Sequence, residues 1–220
     1  MMSLLDLDLG IAAPHQPAGT AVSAVVLAAG MSRRMGETAK LLLDVGGKPM
    51  IRRTVENVLA FAPAETVVVT GHRAAEIEAA LAGLPVRTVR NEFHEQGQPT
   101  SVAAGVKALT ASCQAVMIVL GDQPLVTAEH LRALVSAYAN LDAPSILVPH
   151  HRGKRGNPVI FAARHIPAVV SGGLNVGCRR LIETHSEEVA RHEFDSNVYT
   201  LDCDTPEDYQ RLVARYERAL

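Results

Sequence analysis

The chain has 220 residues, of which 48% are hydrophobic and 20% charged, and its formal net charge is −2. This length and composition are sufficient for one globular domain with a substantial core. The basic residues form no long runs, which argues against a nucleic-acid-binding surface but is compatible with a small phosphorylated ligand. No apolar run approaches the roughly 18 residues that span a bilayer, so we expect no membrane partner.

The cysteines and the start of the chain favour a cytoplasmic protein. Cys113, Cys178 and Cys203 are widely separated and show no metal-ligand spacing, so we expect reduced thiols. The first residues, MMSLLDLDLG, lack the basic region of a secretory signal. Residues 1–20 contain Pro, Gly and Ala without periodicity, which predicts a flexible tail, and residues 21–220 are expected to form a single domain.

From residue 23 onwards, predicted strands and helices alternate. Continuous apolar or β-branched runs predict strands at 23–29, 66–70, 86–90, 115–120, 145–149, 157–161 and 198–202. Amphipathic periodicity and capping residues predict helices at 48–62, 74–84, 101–109, 127–140, 177–184 and 205–220. This alternation predicts an α/β fold with a mostly parallel sheet, in which ligands bind beyond the carboxyl ends of the strands.

The turn after the first strand, AAGMSRRMG, combines glycines with cations. Gly30 and Gly36 let backbone amides approach a ligand, and Arg33, Arg34 and Lys40 supply positive charge. The pattern is neither the Walker A loop GxxxxGK[ST] nor the dinucleotide fingerprint GxGxxG. The later GGKP at 46–49 has Pro where a magnesium-binding hydroxyl would be required, and it is interpreted as a turn before a helix.

Two further strand ends carry carboxylates. Asp122 lies in GDQP after the most apolar strand, and Asp202 and Asp204 lie in LDCDTP. Each is open to an ordinary interpretation, as a turn or helix-capping residue, and to a functional one, as a Mg²⁺ ligand. Together, a cationic loop and acids at neighbouring strand ends indicate a nucleoside triphosphate bound with a divalent metal.

These motifs, in this order, resemble one family. LAAGMSRRMG…K, GDQP and DCDTPEDY are similar to segments of the molybdenum cofactor nucleotidyltransferases, as are TGHR, EQGQPTSVAAG and RGNPVIF, over roughly Val22 to Leu220. The resemblance implies a Rossmann-like three-layer sandwich of the nucleotide-diphospho-sugar transferase type. LAAG, rather than LAGG, is similar to the cytidylyltransferase branch, which joins CTP to molybdopterin and releases pyrophosphate.

The resemblance also implies roles for particular residues. Arg34, Lys40 and Asp122 would be catalytic, and Asp122 and Asp204 would bind Mg²⁺. The nucleotide would be bound by Ala28, Ala29, Gly30, Arg34, Lys40, Gly71, Gly97 and Ser101. Arg33 occupies a variable position. The acceptor would lie near Arg155, Asn157 and Asp202; the family's RGHP reads RGNP here, so a titratable histidine is replaced by Asn157.

The expected reaction is an in-line attack of an acceptor phosphate on the α-phosphorus of CTP. Three other enzymatic or binding functions remain open. They are a GTP-using molybdenum cofactor guanylyltransferase, a cytidylyltransferase of isoprenoid precursor synthesis, and a non-catalytic nucleotide-binding module that delivers the cofactor. A molybdenum hydroxylase that receives the product is a possible partner.

Overall fold

A computed structural model describes residues 20–31, 39–143, 145–171 and 178–218. The strands are Val22–Ala28 (β1), Thr66–Thr70 (β2), Arg87–Arg90 (β3), Ala115–Leu120 (β4), Ile146–His151 (β5), Lys154–Arg155 (β6), Val159–Ala162 (β7) and Val189–Glu193 (β8). The helices are Met50–Phe61 (α1), Ala74–Ala80 (α2), Gln98–Ala108 (α3), Ala128–Ala139 (α4), Ile166–Ser171 (α5), Cys178–Thr184 (α6) and Pro206–Glu217 (α7).

One eight-stranded sheet forms the centre of the fold, in the order β3-β2-β1-β4-β7-β5-β6, with β8 also paired to β5. The pairs β3–β2, β2–β1 and β1–β4 are parallel, whereas β7 is antiparallel to both β4 and β5. Ile146 pairs with Phe161 of β7 and with Val189 of β8, so β7 and β8 flank β5 on opposite sides. The short β6 continues β5 as an antiparallel hairpin.

The core lies on both faces of the sheet, because the central strands are apolar throughout. All seven residues of β1 are buried, as expected for a strand covered on both sides. Helices α1, α2 and α4 pack on one face, and α3, α5 and α6 pack on the other. The expected three-layer α/β sandwich with a mostly parallel sheet is confirmed.

The carboxyl-terminal third differs from the prediction. The segment VYTLD, predicted as a strand, instead contains a short 3-10 helix at Asn197–Thr200, whose residues Val198 and Tyr199 are buried in the core. The strand of this region is β8, which the sequence did not indicate because its residues are mostly exposed and polar. Within the described parts of the chain, no helix is long and apolar enough to cross a membrane.

Candidate nucleotide and metal site

Lys40 brings two loops together at the carboxyl edge of the sheet. It begins a 3-10 turn at Lys40–Leu42, and only 8% of its surface is exposed. Its Nζ donates hydrogen bonds to Asp122 Oδ2 at 2.6 Å and to Asp204 Oδ1 at 3.2 Å. Burial would lower the pKa of Lys40, but Asp122 and then Asp204 more than compensate, so the pKa is raised. The ammonium therefore remains charged at neutral pH.

Asp122 reaches this position because β4 lies beside β1 in the same direction. Asp122 follows Gly121, whose N–H donates to the Leu27 carbonyl oxygen at 3.0 Å. The hydroxyl of Thr54 in α1 donates to the Gly121 carbonyl oxygen at 3.0 Å. These bonds fix the backbone from which the carboxylate projects.

Asp202 and Asp204 both line the same cleft as Lys40. Leu201 and Thr205, on either side of them, have extended backbone angles, so alternate side chains point in opposite directions. Cys203, between the two aspartates, is buried in a small apolar cluster, and burial raises the pKa of its thiol to about 11. The sequence left open that one aspartate of the pair caps or turns the chain while the other faces the ligand, but the N-cap of the next helix is Thr205.

Asp208 and Thr205 cap helix α7 in place of Asp204. Thr205 Oγ1 accepts from the Asp208 N–H at 3.1 Å, and Asp208 Oδ2 accepts from the Thr205 N–H at 2.9 Å. The hydrogen bond from Thr205, together with Arg211, lowers the pKa of Asp208 to about 2. This reciprocal cap does not use the Asp204 side chain, which instead accepts from Lys40 in the cleft.

The cleft has a volume of about 470 Å³. Its walls contain predicted site residues from five segments of the chain: Ala29, Gly30, Lys40, Gly97, Ser101, Asp122, Asp202 and Asp204. The cavity is large enough for a small-molecule ligand. Its polar groups lie where neighbouring parallel strands end, at the edge the sequence indicated.

The cleft wall formed by Gly97 and Ser101 is held by Asn91, a buried residue that no sequence motif indicated. Asn91 Nδ2 donates to Thr100 Oγ1 at 2.8 Å and to Ser101 Oγ at 2.9 Å. Gly97 precedes α3 with φ of 107°, a conformation that favours glycine. Gly71 lies behind this wall, where an added Cβ would approach His94 and Ala29 to within 2.7 Å and 2.8 Å.

The remaining predicted residues are distributed differently. The side chain of Ala28 is buried in the core on the α1 side, because Ala28 and Ala29 point to opposite faces of the sheet. Arg33 and Arg34 lie outside the described residues. Arg155 is exposed and lines a separate depression beside β5 and β8. Asn157 donates its backbone N–H to the Tyr199 carbonyl oxygen at 2.8 Å.

Lys154 is a further cation at the rim of the cleft. Its Nζ donates to Asp202 Oδ2 at 3.0 Å and to the Thr200 carbonyl oxygen at 2.8 Å. It belongs to the basic segment HHRGKRG at 150–156, which by sequence alone is open to two interpretations, a solvated hairpin loop or a contact with the acceptor phosphate. No sequence pattern distinguishes Lys154 from the other cations of that segment, because the contact depends on how the β5–β6 hairpin folds toward residues 200–202.

The carboxylates are suitable for a metal bound together with a nucleotide. In the described ranges there is no group of three or more His, Cys, Asp or Glu residues that could hold a metal by themselves. Mg²⁺ in nucleotide sites, however, usually takes one or two carboxylates plus phosphate oxygens and waters. Asp122 and Asp204 meet this requirement, since both carboxylates contact Lys40 and both line the same cleft.

The fold and the cleft define a nucleotide-binding transferase domain, and comparison with known families agrees. The family model described as a MobA-like NTP transferase domain matches residues 24–189. The chain therefore belongs to the MobA-like NTP transferase domain family. It is a nucleotidyltransferase-type domain by fold and family.

Individual relatives are consistent with this assignment. The bifunctional protein GlmU of Anaeromyxobacter sp. (strain K) is 42% identical over 195 residues, which cover 84% of this chain and 38% of that protein. The chain thus spans less than half the length of this curated relative. A nucleotidyl transferase from Methanothermobacter thermautotroptrophicus is 28% identical, with a TM-score of 0.78 and coverage of 92% of this chain and 100% of that one.

A third similarity concerns the fold alone. Rv0371C from Mycobacterium tuberculosis H37Rv, solved in complex with manganese, is 24% identical with a TM-score of 0.73. It covers 89% of this chain and 99% of its own. A protein with this architecture has therefore been crystallised with a divalent metal.

Proposed function

We propose that the protein transfers a cytidylyl group from CTP to a molybdopterin-type cofactor and releases pyrophosphate. The observation that carries the proposal is the contact of Lys40 with both Asp122 and Asp204 at the base of the cleft. A buried cation and two carboxylates beside a glycine-containing strand end suit a metal–triphosphate complex.

In this proposal the residues of the chain position and neutralise the substrate. Gly30 exposes backbone amides to the phosphates, and Lys40 offsets negative charge on the transferred and leaving groups. Asp122 and Asp204 hold Mg²⁺. The bound metal supplies charge neutralisation and orientation at the α-phosphate. Arg34 is proposed to assist Lys40, as the family resemblance implies.

The chemistry requires no general base from the protein. A phosphomonoester acceptor is already largely ionised at neutral pH, since its second pKa is about 6. One of its oxygens attacks the α-phosphorus of CTP, the bond to the bridging oxygen breaks, and pyrophosphate leaves. The protein contributes mainly alignment of the attacking and leaving oxygens.

Two sets of residues are proposed to select the substrates. The base and ribose would be surrounded by Ala29, Gly97 and Ser101, which line the cleft. Gly71 would support the wall that these residues form. The choice of CTP depends on LAAG, as the resemblance implies. Asp202 would face the acceptor, with Arg155 and Asn157 on the adjoining hairpin segment.

The decisive experiment measures pyrophosphate release from each of the four NTPs in Mg²⁺, with and without molybdopterin. We expect release that requires CTP and molybdopterin together. The Asp122→Asn variant should still bind CTP but release pyrophosphate at least about 100-fold more slowly. Unchanged turnover in the Asp122→Asn variant would contradict the assignment of Asp122 as a Mg²⁺ ligand.

The same assay separates the other candidate functions. Preference for GTP would indicate a guanylyltransferase, and release with an isoprenoid precursor phosphate instead of molybdopterin would indicate a different cytidylyltransferase. CTP binding without release under any condition would indicate a cofactor-delivery module. Transfer of labelled product to a molybdenum hydroxylase would identify the proposed partner.

A further inference from the structure

Lys40 occupies the position between the two carboxylates that are proposed to bind the metal. Its Nζ is 2.6 Å from Asp122 Oδ2 and 3.2 Å from Asp204 Oδ1. The side chains of Lys40, Asp122 and Asp204 are 10%, 19% and 27% exposed, so water screens these contacts only partly. The ammonium therefore neutralises carboxylate oxygens that a divalent cation would otherwise bind.

A divalent cation and this ammonium compete for the same oxygens. If the ammonium stays in place, an incoming metal loses carboxylate ligands and meets a like charge within a few ångströms. Like charges at such distances in a partly buried site oppose binding strongly. Metal can bind well only after the ammonium has found another anion.

The triphosphate supplies that anion. Lys40 and Gly30 line the same cleft, so a phosphate chain bound at Gly30 comes within reach of a flexible lysine side chain. Each phosphate oxygen that accepts from Lys40 releases a carboxylate oxygen for the metal. The phosphates also provide the oxygen ligands that a divalent metal needs in addition to one or two carboxylates.

We propose that Lys40 acts as a counter-ion that keeps the metal site closed until nucleotide arrives, so that divalent metal and triphosphate enter together. This inference rests on the proposed function, because it takes Asp122 and Asp204 as the metal ligands. It adds an order of binding: metal alone binds weakly, and nucleotide creates the site by withdrawing the lysine.

The test measures Mn²⁺ binding by water proton relaxation enhancement, which distinguishes protein-bound from free metal. We expect weak Mn²⁺ binding to the nucleotide-free wild type and strong enhancement once CTP is added. Lys40→Met should bind Mn²⁺ without nucleotide at least about tenfold more tightly than wild type. Adding Asp122→Asn to Lys40→Met should abolish that gain, because one of the two carboxylates is lost.

Two controls isolate the position of the charge. Lys48→Met removes the same charge from a lysine that lies 2.9 Å from Glu56 outside the cleft, and it should leave Mn²⁺ affinity within about twofold of wild type. Lys40→Arg keeps a cation beside the carboxylates and should also bind Mn²⁺ weakly without nucleotide. Thermal unfolding of each variant verifies that it is folded.

The outcomes separate this inference from the proposed function. If wild type binds Mn²⁺ with CTP but Lys40→Met binds nucleotide-free Mn²⁺ no better than wild type, the counter-ion role is wrong while the metal–nucleotide site stands. Tight Mn²⁺ binding to wild type without nucleotide has the same meaning. If wild type binds no Mn²⁺ even with any of the four NTPs, both proposals fail.

Discussion

Gly121 packs directly against the backbone of Leu27. An added Cβ at Gly121 would lie 2.8 Å from the Leu27 carbonyl oxygen and 2.9 Å from Ile51 Cδ1. Leu27 is the register partner of Leu120, so this contact joins the ends of β1 and β4. The absence of a side chain at Gly121 thus sets how close Asp122 comes to the loop after β1.

The Gly121→Ala variant should therefore be less stable and bind metal–nucleotide less well. Separating the strand ends or displacing Ile51 should cost about 1–3 kcal/mol of unfolding free energy. Gly30→Ala is the matched control, because a Cβ there meets no atom of the described residues within 4 Å. It should retain wild-type stability in urea unfolding, and it should weaken CTP binding if phosphates approach this backbone. Wild-type stability of Gly121→Ala would contradict the close-packing argument.

Gly71→Ala tests whether the cleft wall depends on packing behind it. The new methyl group would meet both His94 and Ala29, at 2.7 Å and 2.8 Å, so the loops that carry them must separate. We expect a CTP dissociation constant at least about tenfold higher by isothermal titration calorimetry, since small displacements of a binding wall are costly. An unchanged CTP affinity would show that the cleft wall accommodates the added methyl group and does not depend on close packing at Gly71.

The two aspartates of DCD should differ in importance although each carries the same charge. Asp204 contacts the buried Lys40, whereas Asp202 pairs with Lys154 in an ion pair whose side chains are more than half exposed. Asp204→Asn should reduce kcat at least about 100-fold. Asp202→Asn should reduce kcat by less than about tenfold, because exposed ion pairs contribute little. Equal losses in a pyrophosphate-release assay would make Asp202 a metal ligand as well.

Glu65 should stabilise the fold in a pH-dependent manner. Burial raises the pKa of Glu65, but hydrogen bonds from the Ala111 and Thr110 N–H groups, at 2.9 Å and 2.7 Å, and from Arg87 outweigh it and lower the pKa to about 2. Because the pKa of Glu65 is lower in the folded state than in the unfolded state, its ionised carboxylate stabilises the fold at pH values above the unfolded-state pKa of about 4.3. This stabilisation is lost as the pH falls toward 2.

Glu65→Gln should accordingly be about 1–2 kcal/mol less stable than wild type at pH 7 in denaturant unfolding. The difference should shrink between pH 4.3 and 2, where the wild-type carboxylate takes up its proton. Glu76→Gln, which removes an exposed ion pair with Arg73, serves as the comparison. A Glu65→Gln deficit that stays constant across this range would show that charge is not its cause.

The sequence predicted the first half of the chain, from β1 to Asp122, more closely than the second half. Strands β2 and β4 match their predicted ranges, because buried parallel strands are uninterrupted apolar runs. Asp122 follows the predicted strand β4 and lies at Lys40, as expected. Asp204 also lies at Lys40, although the strand predicted before it is a 3-10 turn in the structure. A local sequence pattern is therefore sufficient to predict a site residue where a buried strand ends directly beside it, as at Asp122.

The other half depends on contacts that no local pattern encodes. The run around Tyr199 has the composition of a strand, yet it turns because its aromatic ring packs into the core and its hydroxyl donates to the His130 carbonyl oxygen at 2.8 Å. Strand β8 pairs with β5 through backbone groups while its side chains remain mostly exposed. The Lys154–Asp202 contact likewise joins residues far apart in sequence.

The reversed strand β7 has a consequence for how this scaffold can change its substrates. Inserted between β4 and β5, it moves the end of β5 one additional strand spacing, about 5 Å, from the strand that carries Asp122. The hairpin that extends from β5 is therefore a separate module, connected to the carboxylates mainly through the segment before Asp202. If the acceptor binds beside Asp202 as proposed, exchanging that hairpin between homologues should change the acceptor while leaving Lys40, Asp122 and Asp204 in place.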